Sequence, residues 1–251
     1  MKVTVLGCGA SAGVPLIGCE CATCTSRNPK NKRTRVSVLV ETETTRILID
    51  TSPDLRQQAL REGFKRLDGI LFTHSHADHI HGIDDIRSFN YHGDGPIAAY
   101  SDASCMNDLQ DRFAYVFSPP IAEYGWFRPC LVPHVIEIGA PFTIGDITVH
   151  PFKQYHGRVH SLGFRIGDFV YSTDVVDFPS ESLPFLKDID CWLLDCLTDE
   201  RPMPTHAHLS KSLEWIEQFK PKRAVLTHLS HALEYEAVSK QLPEQVEVAY
   251  D

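Results

Sequence analysis

The sequence lacks the features that mark membrane, repeat and disordered proteins. Its apolar runs stay far shorter than the roughly 20 residues that a membrane-spanning helix requires. It shows neither an internal repeat nor a low-complexity segment, which argues against a solenoid and against a long linker. With 43% hydrophobic and 23% charged residues, it has the composition of a folded globular protein. We therefore expect no membrane association.

Basic residues are also in short supply. The chain has 24 lysine and arginine residues against 33 aspartate and glutamate residues, a formal net charge of −9. Such a chain is repelled by a polyanion, so we expect no bulk nucleic-acid binding. The first residues, Lys2–Leu6, alternate like a strand and show no signal-peptide pattern, which predicts a cytoplasmic protein.

Strand and helix patterns alternate along the chain. Short β-branched segments bounded by glycine, proline or aspartate predict about ten strands, with helical periodicity in five other segments. Ser52 is expected to cap the first helix, with Pro53 at its first position. The alternation predicts one α/β domain over residues 1–251. The predicted strands are Lys2–Leu6, Val36–Val40, Arg46–Ile49, Gly69–Phe72, Ile97–Tyr100, Phe142–Val149, Gly163–Ile166, Phe169–Tyr171, Cys191–Leu194 and Ala224–Leu226, and the predicted helices are Pro53–Gly63, Ile83–Tyr91, Ala103–Tyr115, Leu209–Phe219 and Glu234–Gln241.

One segment, Phe113–Cys130, has no clean period. It is rich in aromatic residues and proline, which is typical of a loop packed by its own side chains, of a lid or of a subunit contact.

Metal-ligating side chains follow the predicted strand Gly69–Phe72. His74, His76, Asp78 and His79 form the pattern H-x-H-x-D-H. Burying three imidazoles and a carboxylate together without an ion leaves polar groups short of partners. The pattern therefore predicts a metal site at a strand end.

Three more candidate ligands occur in similar positions. Asp174 and His228 each follow a predicted strand, and His156 lies in a turn after the strand-like Ile147–Phe152. Each residue alone is better explained as a hydrogen-bonded core or surface residue. Together they predict enough ligands for a second ion.

This ordered set of ligands resembles the metallo-β-lactamase superfamily. The segments Leu6–Pro15 and Gly18–Cys24 further resemble the bacterial cyclic phosphodiesterases of phosphonate breakdown. The resemblance runs from Gly7 to about His231. It implies a four-layer αββα sandwich with two divalent metal ions at one edge. By analogy with these relatives, Tyr115–Phe127 is the candidate face of a homodimer.

The resemblance also implies a role for each ligand. The implied ligands of the first ion are His74, His76 and His156, and those of the second ion are Asp78, His79 and His228. Asp174 would bridge the two ions, a water-derived hydroxide between them would be the nucleophile, and Asp50 would orient a ligand histidine. Nitrogen-rich ligation with two carboxylates suits Zn²⁺, and Mn²⁺ or Fe²⁺ is compatible with it.

Three cysteines, Cys19, Cys21 and Cys24, are clustered, and the resemblance assigns His231 as a fourth ligand. Such a Cys₃His set would bind a structural zinc ion, because all four coordination positions are filled by protein. The alternative is a group of small buried thiols with one reactive cysteine.

A departing alkoxide needs a proton, and two histidines just before the predicted helix Leu209–Phe219 are candidates to supply it. Either His206 or His208 could be the general acid, and the sequence does not decide between them. Asp78 is also predicted to be a catalytic residue. Either histidine could instead satisfy backbone groups at the helix start. One arginine of the basic run Arg27–Arg35 is a candidate for binding a substrate phosphate.

These assignments favour an anionic substrate, because two divalent ions, two carboxylates and a hydroxide sum to a charge of about +1. We predict a phosphodiesterase acting on a small cyclic phosphate or nucleotide-like diester. The alternatives are transfer-RNA 3′ processing, hydrolysis of a thioester, lactone or β-lactam, and a non-catalytic carrier in a cofactor pathway. The lack of an obvious basic arm argues against the first, and the complete ligand set argues against the carrier. The cysteine cluster argues against the ester and lactam substrates through the family resemblance alone.

Overall fold

The computed structural model of the protein describes residues 1–93, 95–118 and 128–251. The chain forms two compact units. Unit 1 comprises Met1–Leu6, Ser37–Glu137 and Phe142–Ile147, and unit 2 comprises Gly7–Val36, Ile138–Pro141 and Thr148–Asp251. Most of the predicted dimer segment, residues 119–127, lies outside the described residues.

Thirteen strands and seven α-helices are present in the described ranges. The strands are β1 (Lys2–Gly7), β2 (Ser37–Glu41), β3 (Arg46–Ile49), β4 (Gly69–Leu71), β5 (Ile97–Ser101), β6 (Leu131–Val135), β7 (Phe142–Ile144), β8 (Ile147–His156), β9 (Val159–Ile166), β10 (Phe169–Ser172), β11 (Cys191–Asp195), β12 (Arg223–Thr227) and β13 (Val246–Val248). The helices are α1 (Ala22–Thr25), α2 (Leu55–Glu62), α3 (Ala77–Ile80), α4 (Ile86–His92), α5 (Ala103–Arg112), α6 (Leu209–Phe219) and α7 (Tyr235–Ser239).

Unit 1 is built on a sheet with the strand order β1-β2-β3-β4-β5-β6. Strands β3 to β6 are parallel to their neighbours, and β2 is antiparallel to β3. Fully buried side chains such as Leu48, Ile70 and Phe72 pack with the helix residues Leu55 and Phe89 in one hydrophobic cluster. Because parallel neighbours end at the same edge, this sheet brings the carboxyl ends of β3 and β4 together.

Unit 2 contains a sheet in which β8 to β13 take the order β13-β12-β11-β10-β9-β8. Strands β8, β9 and β10 are antiparallel to one another in turn, whereas β10, β11, β12 and β13 run parallel. The indole of Trp192 and the rings of Phe178, Trp215 and Phe219 pack at centroid distances of 4.8–6.0 Å, which anchors α6. The carboxyl ends of β10, β11 and β12 consequently share one edge.

The mixed α/β class predicted from the alternation is confirmed, and α6 has the predicted bounds Leu209–Phe219. The predicted strand Phe142–Val149 is wrong as one element, because Gly145, at φ 56°, turns the chain between β7 and β8. Strands β6 and β13 were not predicted. Within the described ranges, no helix combines the length and apolar character needed to cross a membrane.

The predicted start of the first helix is also wrong. Helix α2 begins at Leu55, with Asp54 rather than Ser52 as its N-cap. The Ser52 hydroxyl accepts a hydrogen bond from the Asp54 N–H at 3.0 Å, so it closes a turn before the helix instead of capping it.

Candidate active site

In unit 1, the metal-ligand motif lies at the shared carboxyl edge of β3 and β4. Asp50 follows β3, and its main-chain N–H donates to Leu71 O of β4 at 2.8 Å. Asp50 has a φ of 61°, a left-handed conformation that costs a non-glycine residue about 1–2 kcal/mol. Such strain concentrates at functional sites, and here it turns the Asp50 carboxylate toward the residues that follow β4.

The three imidazoles of the H-x-H-x-D-H motif form one group. The ring of His74 lies 4.4 Å from that of His76 and 4.3 Å from that of His79, measured between centroids. Oδ2 of Asp78 is 3.4 Å from Nε2 of His79. His74, Asp78 and His79 are buried whereas His76 is exposed, so the group is open to solvent on the His76 side.

Asp50 determines the orientation of His79. Nδ1 of His79 lies 2.7 Å from Oδ2 of Asp50, and both side chains are fully buried. A carboxylate only accepts hydrogen bonds, so His79 donates through Nδ1. The lone pair on its Nε2 is then available to bind a metal ion. Burial raises the pKa of the Asp50 carboxyl, while the His79 imidazole acts in the opposite direction. Asp50 thus lies where the resemblance implied.

A close backbone approach holds the short helix α3 against the loop after β3. Thr51 N–H donates to His79 O at 2.8 Å, and Gly82 N–H donates to Thr51 O at 2.9 Å. A Cβ atom at Gly82 would lie 1.9 Å from Ser52 O, so only glycine fits there. These two hydrogen bonds and the close contact at Gly82 fix the position of the α3 backbone, which carries Asp78 and His79.

In unit 2, three parallel strands end side by side and present Asp174, Asp195 and His228. In the register of the sheet, Ser172 of β10 lies opposite Leu194 of β11, and Asp195 of β11 lies opposite Thr227 of β12. Asp174 and His228 have φ values of 53° and 58°, the same left-handed conformation as Asp50. All three presented side chains are buried.

The Asp174 carboxylate of unit 2 is faced by three imidazoles. Oδ1 of Asp174 is 3.6 Å from Nε2 of His156 and 3.8 Å from Nε2 of His206. Oδ2 is 3.6 Å from Nε2 of His228. Nδ1 of His156 donates to Thr205 O at 2.7 Å, which leaves its Nε2 lone pair directed to this group. Three imidazoles around one buried carboxylate are a donor set that suits a transition-metal ion.

Asp195 was not predicted as a site residue. Its Oδ2 accepts from Ala207 N–H at 3.0 Å and lies 3.3 Å from Nδ1 of His206. Its Oδ1 lies 3.5 Å from Nδ1 of His228 and makes no hydrogen bond with the described residues. Ligand atoms of Asp174, Asp195, His206 and His228 all fall within 4.8 Å of one another. An aspartate at the end of a buried strand or within two residues after it, as at Asp50 and Asp174, was the available sequence signal.

The two general-acid candidates occupy different positions. His206 is 8% exposed and stacks on His228 with ring centroids 4.7 Å apart. His208 is the N-cap of α6, and its main-chain oxygen accepts from Ser212 N–H at 3.0 Å. The structure therefore brings His206, and not His208, to the carboxylates of Asp174 and Asp195.

The cysteine cluster in unit 2 is assembled as expected for a metal site. Nδ1 of His231 lies 3.5 Å from Sγ of Cys19 and 3.4 Å from Sγ of Cys21, and the four ligand atoms including Cys24 Sγ lie within 4.8 Å of one another. Hydrogen bonds from Cys24 N–H and from His231 lower the pKa of the Cys21 thiol to about 6. All eight cysteines of the chain are free thiols. Three thiols and an imidazole at this spacing fit a tetrahedral zinc ion.

The basic run has a structural role at Arg33. This residue is 2% exposed, and its guanidinium donates to Ser230 O at 3.0 Å and to Leu233 O at 2.8 Å. Lys32 donates to Cys24 O at 3.0 Å, and Lys30 to the Tyr235 hydroxyl at 2.9 Å. Arg33 is therefore excluded as the phosphate-binding arginine, because its buried guanidinium already donates its hydrogen bonds to main-chain carbonyl groups.

Comparison with known families gives one domain match. The model of the β-lactamase superfamily domain matches residues 45–229. That range includes every histidine and aspartate that the sequence analysis expected to bind the two active-site ions. It ends before His231 and begins after the cysteine cluster.

Among curated proteins, the chain is 36% identical over 254 residues to an octanoyltransferase of Porphyromonas gingivalis. The match takes in 100% of this chain and 50% of that protein, so the chain spans about half the length of this relative.

Among solved structures, the chain is similar to one described as a new diphosphatase from the PhnP family. The two are 36% identical with a TM-score of 0.91, covering 99% of this chain and 94% of that one. Zn²⁺-bound PqqB from Methylobacterium extorquens is 18% identical with a TM-score of 0.79. The match covers 100% of this chain and 98% of the PqqB chain, which shows a shared fold.

Proposed function

This chain belongs to the β-lactamase superfamily, in its PhnP family, and on that premise we propose that it hydrolyses small phosphodiesters with two divalent metal ions. The family match confirms the predicted metallo-β-lactamase fold and the prediction of a metal-dependent hydrolase. The substrate class and the number of ions are the proposal.

We assign the ligands as the family resemblance implies. His74, His76 and His156 would hold the first ion, Asp78, His79 and His228 would hold the second, and Asp174 would be shared. The hydrogen bonds of His79 and His156 support this assignment, because each ring donates through Nδ1 and keeps Nε2 for a metal ion. Nitrogen-rich ligation favours Zn²⁺, with Mn²⁺ as the alternative.

The observation that carries the proposal is the crowding of imidazoles around buried carboxylates at both sheet edges. When bound, divalent ions there supply Lewis-acid stabilisation of the phosphoryl transition state and activation of the attacking water. The site would carry a charge of about +1 with its nucleophile, which favours a phosphodiester over a neutral amide or lactone.

His206 is the proposed proton donor to the leaving alkoxide. Asp195 Oδ2 lies 3.3 Å from its Nδ1, which holds the ring and stabilises its protonated form. Its Nε2 lies 3.8 Å from Asp174 Oδ1, so the donating nitrogen faces the shared carboxylate. An imidazole between two carboxylates is well suited to hold a proton until the leaving group departs.

A second candidate function is hydrolysis of a diphosphate linkage. The PhnP-family structure that is 36% identical to this chain is described as a diphosphatase. Both reactions break a P–O bond by attack of water at phosphorus. They differ in the leaving group, which is an alkoxide in an alkyl diester and a phosphate in a diphosphate.

Metal-reconstituted protein should be assayed with and without chelator on an alkyl phosphodiester, a ribose cyclic phosphate, a diphosphate, an octanoyl thioester, a lactone and a β-lactam. The octanoyl thioester is included because of the octanoyltransferase relative. We expect chelator-sensitive cleavage of the phosphate substrates alone. Cleavage of the thioester or lactone by a metal-loaded protein that hydrolyses none of the phosphate substrates would overturn the proposal.

We also propose that Cys19, Cys21, Cys24 and His231 bind one structural zinc ion. Cys21→Ala should remove one equivalent of zinc and lower the Tm, because structural zinc binding contributes directly to folding free energy. Elemental analysis and a thermal melt measure both effects. Cys191→Ala, a half-buried thiol outside the cluster, is the control and should keep the zinc content of the wild type. Unchanged zinc content in the Cys21 variant would contradict the assignment.

A further inference from the structure

We propose that Thr73 is a positioning residue, whose hydroxyl extends the control of Asp50 from His79 to His74. One buried carboxylate would then fix the tautomers of two metal ligands. The inference rests on the proposed function in one respect, namely that these histidines bind metal.

Asp50, Thr73 and His74 form a continuous hydrogen-bonded chain inside unit 1. Thr73 N–H donates to Asp50 Oδ1 at 2.8 Å, and Thr73 Oγ1 lies 2.8 Å from Asp50 Oδ2. Nδ1 of His74 lies 3.0 Å from the same Thr73 oxygen. Thr73 is 1% exposed and Asp50 is 0% exposed, so solvent does not compete with these bonds.

The direction of each bond follows from the protons available. A hydroxyl has one proton, and the Asp50 carboxylate can only accept, so Thr73 gives its proton to Asp50. The Thr73 oxygen then presents lone pairs to His74, and the contact is satisfied only if His74 carries its proton on Nδ1. Its Nε2 lone pair is thereby left for a metal ion.

His79 reaches the same state directly, since its Nδ1 lies 2.7 Å from Asp50 Oδ2. Without the Thr73 hydroxyl, His74 loses the acceptor that selects its tautomer, and the proton can move to Nε2, where it blocks metal binding. Partners of this kind typically change metal affinity by about 10–100-fold.

Two substitutions at this position separate the hydroxyl from the shape of the side chain. Thr73→Val keeps the branched shape and removes the hydroxyl, whereas Thr73→Ser keeps the hydroxyl and removes a methyl group. Thr227→Val is a matched control. Thr227 is also 1% exposed and precedes the proposed ligand His228, but its hydroxyl has no hydrogen-bond partner among the described residues.

The first measurement is ¹⁵N NMR of the histidine side chains in the metal-free protein, which reports the tautomer of each ring. We expect His74 to be protonated on Nδ1 in the wild type, the serine variant and the Thr227 control. In the Thr73→Val variant we expect the Nε2-protonated form to appear.

The second measurement is Zn²⁺ affinity by competition with a chelating indicator. We expect a loss of about 10–100-fold for Thr73→Val, with Thr73→Ser and Thr227→Val close to the wild type. An unchanged His74 tautomer in a folded Thr73→Val protein would overturn the inference, as would equal losses for the valine and serine variants. If wild-type protein binds no ion at these histidines, the proposed function fails, while the tautomer experiment still decides the role of Thr73.

Discussion

His76→Ala is expected to lower kcat/KM for a phosphodiester by about 10³-fold, because Lewis-acid stabilisation contributes several kcal/mol and each 1.36 kcal/mol is tenfold. His76 is exposed, so its loss removes a proposed metal ligand without opening a cavity in the core. The fold should therefore survive. Steady-state kinetics on metal-reconstituted protein, with a thermal melt as a check on folding, measure the effect.

His92→Ala is the matched control for that experiment. His92 is an exposed histidine at the end of α4 and lies outside the proposed ligand set. Its replacement should leave kcat/KM unchanged. A folded His76 variant with wild-type activity would remove this residue from the ligand set and, with it, the first proposed ion.

His206→Ala is expected to slow cleavage of an alkyl diester by about 10²–10⁴-fold, the usual contribution of a general acid. The same variant should cleave a nitrophenyl diester or a diphosphate at nearly the wild-type rate, because nitrophenolate and phosphate leave without protonation. The ratio of the two losses is the informative quantity. A variant that had merely lost metal would be slowed equally on every substrate.

His208→Ala decides between the two candidate histidines. It should leave both classes of substrate unaffected, since His208 stands at the N-cap of α6 rather than beside Asp174 and Asp195. A leaving-group-dependent loss in the His208 variant, with none in the His206 variant, would reverse the assignment. Strong dependence on His206 for alkyl diesters would also favour the phosphodiesterase over the diphosphatase as the evolved activity.

Much of the candidate site could be predicted because its residues stand at the ends of short apolar strands. His74, Asp174 and His228 each follow the end of a buried strand within three residues, and parallel pairing brings such ends to one edge. The H-x-H-x-D-H spacing adds a local signal that needs no knowledge of the fold. At these positions the local motif and the strand topology both place the side chains at the carboxyl edge of a sheet.

The remaining features depend on contacts between distant parts of the sequence. Asp195 became a site residue only when the structure placed it against His206 and His228, since a strand-end aspartate is common without such partners. Arg33 belongs to the basic run that was a candidate for phosphate binding, and its actual partners, the carbonyls of Ser230 and Leu233, lie about 200 positions away along the chain. Periodicity carries no information about partners at that separation.

Anomalous diffraction at the zinc edge, from crystals of zinc-reconstituted protein, tests the central claim most directly. We predict three peaks per chain, placed about 2.0–2.1 Å from histidine nitrogens and about 2.3 Å from cysteine sulfurs. One should lie at His74, His76 and His156, one at Asp78, His79 and His228, and one at the Cys19, Cys21, Cys24 and His231 cluster. Zinc at the cysteine cluster alone, with none at the histidine and aspartate ligands, would contradict the account.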